Sequence, residues 1–399
     1  MLIEIHLIQN HAPSNLNRDD TGSPKECVFG GVKRGRISSQ CLKRTIRRSE
    51  LFKAAMDGHL GTRTRRLPEL VRDRLLAEGV LADVADVAAK KASGFGTKEG
   101  KEQTNLRTAQ TMFLTEADIT AVVDVMRAAV TAAGDAKSLD KIAAKDLQAQ
   151  AQQAGFRPIS VDVALFGRMT TSEAFRDVEA ACQVAHALST HKVDRGFDYF
   201  TAVDDLKDDA QGEAEEDAGA DMLGDVEFNS ACYYKYFSID LNGLRQNLTG
   251  ENIGRKSVPI DEQAEAAALA NRAVTALLQA AILTTPTGKQ NSFAAHQLPA
   301  AVLVEVRPTH LPISYANAFV DPAKQGLGDD LIEASLMKFT SHVEKLSAGF
   351  NLPATARLLL APEHADVTIA GVELVPNLNT LCERLTAVMA ADAPEPVHG

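Results

Sequence analysis

Residues 33–48, KRGRISSQCLKRTIRR, hold seven cations and no acid, in a chain of 399 residues whose net charge is −11. That density of lysine and arginine suits a polyanion. Ser38 or Ser39 can accept from an orphan backbone N–H, so the sequence predicts a helix that begins there. On it Leu42 and Ile46 fall four apart and face inward. Lys43 and Arg47, and separately Arg44 and Arg48, are further pairs four apart, giving two basic rows beside the apolar stripe. Such like-charge pairs repel by roughly a few tenths of a kcal/mol unless an anion neutralises them. The helix N-terminus already favours phosphate through free N–H groups and its dipole. A merely solvated basic face is the competing reading; the cap, the two rows and the absence of acids weigh against it.

Around this segment Arg18, Lys25, Lys33, Arg34, Arg36, Lys43 and Arg47 can donate to phosphates, and Ser38 and Gln40 add neutral donors. Phe29-Gly30-Gly31 allows close backbone approach, because glycine has no Cβ. Asp19-Asp20 could bind magnesium beside a phosphodiester. The favoured reading is that they order Arg18 and the turn. No phosphate-binding P-loop occurs: Thr287-Gly288-Lys289-Gln290 lacks the loop length and the hydroxyl. No zinc or serine-hydrolase spacing occurs either, and His186 and His191 would face different sides of a helix. Neither a metal nor a cofactor is expected.

The overall acidity is concentrated. Between Asp204 and Asp225 ten acids stand against Lys207 alone, so this tract carries −9 of the −11. The remainder is nearly neutral, and the basic cluster can set a local positive field. Five scattered cysteines without C-x-x-C spacing read as reduced thiols. No apolar run approaches the ~18 residues of a membrane span, and the amino terminus lacks a basic leader, so a cytoplasmic location and no membrane contact are expected.

Among the elements that must position these residues, Leu2 to Ile8 reads as a strand and Asn10 to Pro24 as a loop. Leu67–Lys91, Glu116–Ala133, Leu139–Gln153 and Glu173–Leu188 read as amphipathic helices, an inserted helical lobe. Cys232–Leu241 is strand-like, and the acidic tract falls at the tip of a hairpin. Tyr233, Tyr234 and Tyr236 read as core; Phe200-Thr201, beside the tip, offers a surface on which bases could stack. Asp261–Leu283 is a helix, Ala300–Val306 a strand, Ala356–Ala361 and Val367–Val375 further strands, and Asn379 caps a closing helix. Without insertions the order is strand, helix, strand, strand, helix, strand: an α+β, ferredoxin-like or RNA-recognition-like topology.

Three blocks resemble one family. Asn10 to Asp20 with Lys25, Phe29-Gly30-Gly31 and Arg36-Ile37-Ser38-Ser39-Gln40 followed by Leu42-Lys43-Arg44 form the first. The second includes Val163-Ala164-Leu165, Gly167-Arg168-Met169, Ala185-His186-Ala187, Thr190-His191, Val193-Asp194 and Phe200 to Leu206. Lys289-Gln290, Ala294-Ala295 and Ala316 to Phe319 form the third. Together they resemble the CasC backbone subunit of type I-E CRISPR Cascade, in the RAMP superfamily.

The resemblance implies a hand-like subunit. Its divisions are a palm at 1–50 with the basic helix, helical fingers at 51–188, a thumb hairpin at 189–230 and the rest of the palm at 231–399. Copies would stack in a helical filament along one CRISPR RNA (crRNA), in a ribonucleoprotein for antiviral defence. It further implies crRNA-backbone contacts at Arg18, Lys25, Ser38, Gln40, Lys43 and Arg47, and base separation at Met169, Phe200 and Thr201. Lys33, Arg34, Arg36, Lys289 and Gln290 are secondary RNA-binding candidates. Implied partners are the crRNA, target DNA through guide pairing, other copies, the large, small, CasD-like and crRNA-processing CasE-like subunits, and a recruited helicase-nuclease. No catalysis is expected. The rival reading is a type III-like backbone ribonuclease that cuts target RNA with Asp19 or Asp20; a blander one is a stand-alone RNA chaperone.

Overall fold

The computed structural model describes residues 1–153, 155–202, 222–324 and 330–392. Its first strand, β1 (Leu2–Ser14), leads through a turn-rich loop to the hairpin of β2 (Glu26–Phe29) and β3 (Val32–Ile37), then α1 (Ser39–Arg48) and α2 (Glu50–Ala55). A helical lobe follows: β4 (Thr62–Thr64), α3 (Leu67–Ala77), α4 (Ala82–Ser93), β5 (Met112–Leu114), α5 (Glu116–Ala133), α6 (Ala136–Asp140) and α7 (Ala144–Gln153). Next come α8 (Val161–Phe166), β6 (Cys182–Val184), β7 (Ala187–Ser189), β8 (Gly196–Ala202) and the long β9 (Met222–Asp240). The chain then forms α9 (Leu241–Thr249), α10 (Ile260–Leu283), α11 (Gln290–Phe293), β10 (Ala301–Arg307), α12 (Leu331–Gly349), β11 (Ala356–Leu360), β12 (Glu373–Leu374) and α13 (Leu378–Ala391).

β1 is the axis of a ten-stranded sheet ordered β12-β11-β10-β1-β9-β7-β3-β2, with β6 and β8 also paired to β9. Leu7 stands opposite Val302 on one side and Lys235 on the other, and both ladders are antiparallel. Both faces of β1 are buried because helices cover each. Ile3, Ile5 and Leu7 meet Leu42 and Ile46 of α1, Phe52 of α2 and Leu277 of α10 in one core. Ile8 shares a second core, on the opposite face, with Tyr315, Phe319 and Phe339 of α12. The lobe has its own core, from Leu67 to Ala151 with Ala174 and Phe175. Phe52, Met56 and residues 159–165 join the main core instead, so the span 51–188 serves two cores.

Several expectations are corrected. The helix expected at 173–188 is absent; Cys182–Val184 and Ala187–Ser189 are strands. There the unpaired backbone of β9 offers ladder bonds that outweigh alanine's helix propensity, which is a weak prior. The predicted helix 67–91 divides into α3 and α4 around Gly79, which has φ +88°. The 139–153 helix likewise divides into α6 and α7. β1 absorbs residues 10–14 of the expected loop, and the 367–375 strand shrinks to Glu373–Leu374. Asn377, rather than Asn379, caps α13 by accepting from Thr380 N. α10 is long and apolar enough to cross a bilayer by length and composition, contrary to the expectation of no such run. Its Ala273, Val274, Leu277, Leu278 and Ala281 are buried in the main core. Of the acidic tract expected at the hairpin tip, 203–221 lie outside the described residues.

Candidate nucleic-acid interface

α1 starts where its sequence places it. Ser38 is extended (φ −69°, ψ 149°) and its Oγ accepts from Cys41 N at 3.3 Å. Its own N–H donates to Asn17 Oδ1 at 2.8 Å, which ties the 15–25 loop to the head of the helix. Leu42 and Ile46 are buried, turning both basic rows outward. Arg47 and Arg48, in the last turn, complement the helix dipole.

Beside α1 lies a cleft of about 820 Å³ lined by Gln40, Lys43, Arg47, Arg63 and Met169, among others. Among the described residues, every charged side chain lining it is a cation. Lys43 Nζ lies 5.9 Å from the centre of the Phe166 ring, and the Arg47 and Arg63 guanidiniums lie 5.0 and 5.8 Å from that of Phe113. Ring faces hold cations without neutralising them. Behind Arg47, at 3.4 Å, sits the fully buried Asp162, which accepts from Gly61 N and Ser160 Oγ at 2.8 Å each. Burial pushes its carboxyl above the usual range. Met169 stands 93% exposed at the rim. The arrangement suits phosphates along the basic row and an apolar surface against a base.

The 15–25 loop is built by its own hydrogen bonds. Asp19 Oδ1 accepts from Thr21 N (2.9 Å), Thr21 Oγ1 (2.7 Å) and Ser23 N (3.0 Å). The Thr21 hydroxyl, first among these, holds the carboxyl below the usual range. Arg18 is exposed and bridged to Pro24, Asp20 is exposed, and Lys25 N donates to Asn17 O.

Other predicted residues lie apart from this cleft. Arg34 is fully buried, donating to the carbonyls of Phe29 (3.2 Å), Ser189 (3.2 Å) and Phe319 (2.7 Å). It is therefore an internal clamp and not a phosphate donor. Gly30 and Gly31, at φ +61° and +78°, form the tight β2–β3 turn. A Cβ on Gly30 would lie 1.9 Å from Val320 O, so the close approach serves this chain's own backbone. Lys33 is exposed, while Arg36 is half-buried and 2.8 Å from His186 Nδ1. His186 precedes β7 and His191 follows it, with His191 Nε2 accepting from Cys232 N. Gln290 spends its amide inside its loop, donating to Pro286 O and Ala295 O and accepting from Ala295 N, which removes it as a ligand donor. Its neighbour Lys289 is left-handed, at φ +51°. Phe200 and Thr201 lie on β8, opposite Gly224 and Leu223; a Cβ on Gly224 would come within 2.4 Å of the Phe200 ring. Tyr233, Tyr234 and Tyr236 are buried.

Nothing in the sequence singles out Phe113, Phe166 and Asp162. Phe113 and Phe166 reach the cleft from β5 and α8, Asp162 lies buried behind it on α8, and no local pattern ties those elements to α1.

The CT1975-like protein family model matches residues 3–384. A chain of a solved "CRISPR RNA-guided surveillance complex, pre-nicking" is 29% identical, with a TM-score of 0.77 over 98% of this chain and 100% of that one. A chain of another "CRISPR RNA-guided surveillance complex" is 25% identical, with a TM-score of 0.68 over 97% and 100%. No curated protein matches the chain.

Proposed function

The chain belongs to the CT1975-like protein family, and from that premise we propose that it is the crRNA-binding backbone subunit of a Cascade-type complex, of type I-E in particular. The likeness to surveillance-complex chains over nearly the whole length supports the Cascade-type reading. The CasC-like blocks around Arg36–Arg44 and Gly167–Met169 support the finer one. The single observation that carries RNA binding is the cleft joining Gln40, Lys43, Arg47 and Met169, which no acid lines among the described residues.

We read the sheet as an RNA-recognition-like palm. In its middle β10, β1, β9 and β6 or β7 lie side by side and antiparallel, which is the ferredoxin-like order of fourth, first, third and second strands. The lobe with its separate core then serves as fingers, and the β8–β9 hairpin as a thumb.

Phosphate contacts bind any spacer and leave base edges free for pairing with target DNA, so the guide carries specificity. Lys43 and Arg47 supply charge, Gln40 an amide donor and Ser38 a hydroxyl proton, its acceptor site being used by the cap. Arg18, Lys25 and Lys33 extend the positive path, and Phe200 and Thr201 act on bases from the hairpin of a neighbouring copy. The subunit is non-catalytic in this reading, which the use of Asp19 within its own turn supports. Its place is the cytoplasm, in keeping with five unpaired cysteines.

Co-expression with a CRISPR array and the other Cascade subunits tests the proposal. A large particle with a high 260/280 ratio and one uniform short RNA is expected; an RNA-free monomer under those conditions would overturn it. Incubating the particle with complementary RNA and magnesium tests the ribonuclease rival: periodic cuts lost in Asp19→Ala would favour that enzyme.

A further inference from the structure

A second, smaller cleft of about 200 Å³ lies where the helical lobe meets residues 253–255, and arginines dominate its lining. Arg157 and Arg168 share Asp118: Nε of the first is 3.3 Å from Oδ1, and Nη1 of the second 2.5 Å from Oδ2. Arg176 crosses the seam to donate to Ile253 O. Arg255 is neutralised by Glu262, at 2.6 and 3.1 Å, and lies 4.6 Å from the centre of the Phe156 ring. One carboxylate therefore faces three guanidiniums that have no other acid among the described residues lining the cleft. Arg157 Nη1 is buried and has no hydrogen-bond partner among the described residues. Burial outweighs the pull of Asp118 and, with smaller help from the charges of Arg168 and Arg176, holds the Arg157 guanidinium below its usual range. Thr115, which caps the 18-residue α5, also lines the cleft and brings the positive end of that helix dipole to it.

An unpaired buried donor and a surplus of guanidiniums are both costly unless an anion satisfies them. The room available suits a small one. We propose that this cleft binds a compact tetrahedral oxyanion of the phosphate class, held by Arg157 and Arg176 at the head of α5, and that the bound ion fastens the helical lobe to the segment after α9. Such an ion supplies what the cleft lacks, because several oxygens can accept from separate guanidiniums at once. The site is separate from the α1 cleft and does not depend on guide binding.

The test is thermal unfolding of the full chain during titration with inorganic phosphate, with chloride holding ionic strength constant. A saturable rise in Tm of about a few degrees is expected. Arg157→Met and, because Arg176 is exposed and its loss leaves the core intact, Arg176→Gln should each move the half-saturating concentration up about tenfold. Lys43→Ala should leave the response unchanged. A 5′-phosphorylated dinucleotide that competes would identify a nucleotide's terminal phosphate as the source; one that does not would identify the free ion. No saturable rise, or the same rise in both arginine variants, would overturn the site.

Discussion

On α1, Lys43 and Arg47 lie over the rings of Phe166 and Phe113, with Asp162 buried behind Arg47. Arg44 and Arg48, one position further round, also border that cleft but stand exposed between it and an open trough of about 640 Å³ that reaches Thr284, Thr285 and Thr287, with no ring or carboxylate holding them among the described residues. The two rows share charge and spacing and differ in support. A cation already held by a ring or a carboxylate loses less side-chain freedom when it meets a phosphate, and that freedom is worth up to ~2 kcal/mol for lysine or arginine. Sequence periodicity can place both rows on a surface; only the elements packed behind them rank the two.

The most severe break should come from Lys43→Glu, expected to weaken guide binding about a hundredfold at low salt, because attraction to a phosphate is replaced by repulsion. Lys43→Ala should cost about tenfold, similarly for every spacer, and flatten the salt dependence by ~0.7 for each phosphate no longer neutralised, as for single strands. A spacer-dependent loss in filter binding would refute the backbone-contact role. Arg47→Ala should also cost about tenfold in binding, and in addition about 2 kcal/mol of stability, because Asp162 stays buried without its cation. Adding Asp162→Asn should restore stability in urea denaturation while binding stays weak. Arg44→Ala with Arg48→Ala should cost less than about threefold. If that pair matched Lys43→Ala, the distinction between the rows would fail.

The buried cations sharpen the contrast through pH. Lys235 is fully buried with its Nζ bonded to Gln9, and burial pulls it down to about 8. Burial first, then Lys235, lowers His11 to about 3, against 6.5 for a free histidine. The unfolded chain therefore binds the His11 proton first. The His11 contribution should be fully present above pH 6.5 and decline as pH falls from there toward 3, while Lys235 adds stability only as pH rises from about 8 toward 10.5. Glu305 adds to this at lower pH: burial raises its carboxyl, but His6, Arg307 and Arg357 outweigh burial and hold it at about 2. Its stabilisation is present above the free value of 4.5 and is lost as pH falls toward 2. Urea midpoints across pH 2.5–8 check this, and His11→Gln should shrink the limb that begins at 6.5, to which His186, His191 and His342, also lowered by burial, contribute the rest. Guide affinity between pH 6.5 and 8 should stay level throughout.

What could be read from the sequence was what is local. The Ser38 cap, the inward Leu42 and Ile46 and the span of α5 depend on neighbours within a turn or two, and they appear as expected. β6 and β7 depend on β9, about 50 residues later, so an alanine-rich stretch misleads there. Arg34 looks like its neighbours in a basic run. Beyond the nearby Phe29 carbonyl, however, its partners are carbonyls 155 and 285 residues away, and nothing local announces them. Gly30 is legible as a point of close approach, but not as one made to Val320.

β1 is finished first during synthesis and completed last. His6 meets Tyr234 across 228 residues, and Leu2 pairs with Arg307 still later in the chain. At ~5–20 residues per second, a ribosome takes roughly 10–50 s to deliver the first of those partners. For that interval a 13-residue strand that the finished fold buries along most of its length has both edges open, beside a basic segment whose charge draws polyanions. A nascent chain in this state invites chaperones as well as stray RNA. On the proposed reading, capture of the guide in its proper geometry must therefore wait for β9 and β10 to emerge, and cells short of chaperone should lose this subunit by aggregation before its native surface has formed.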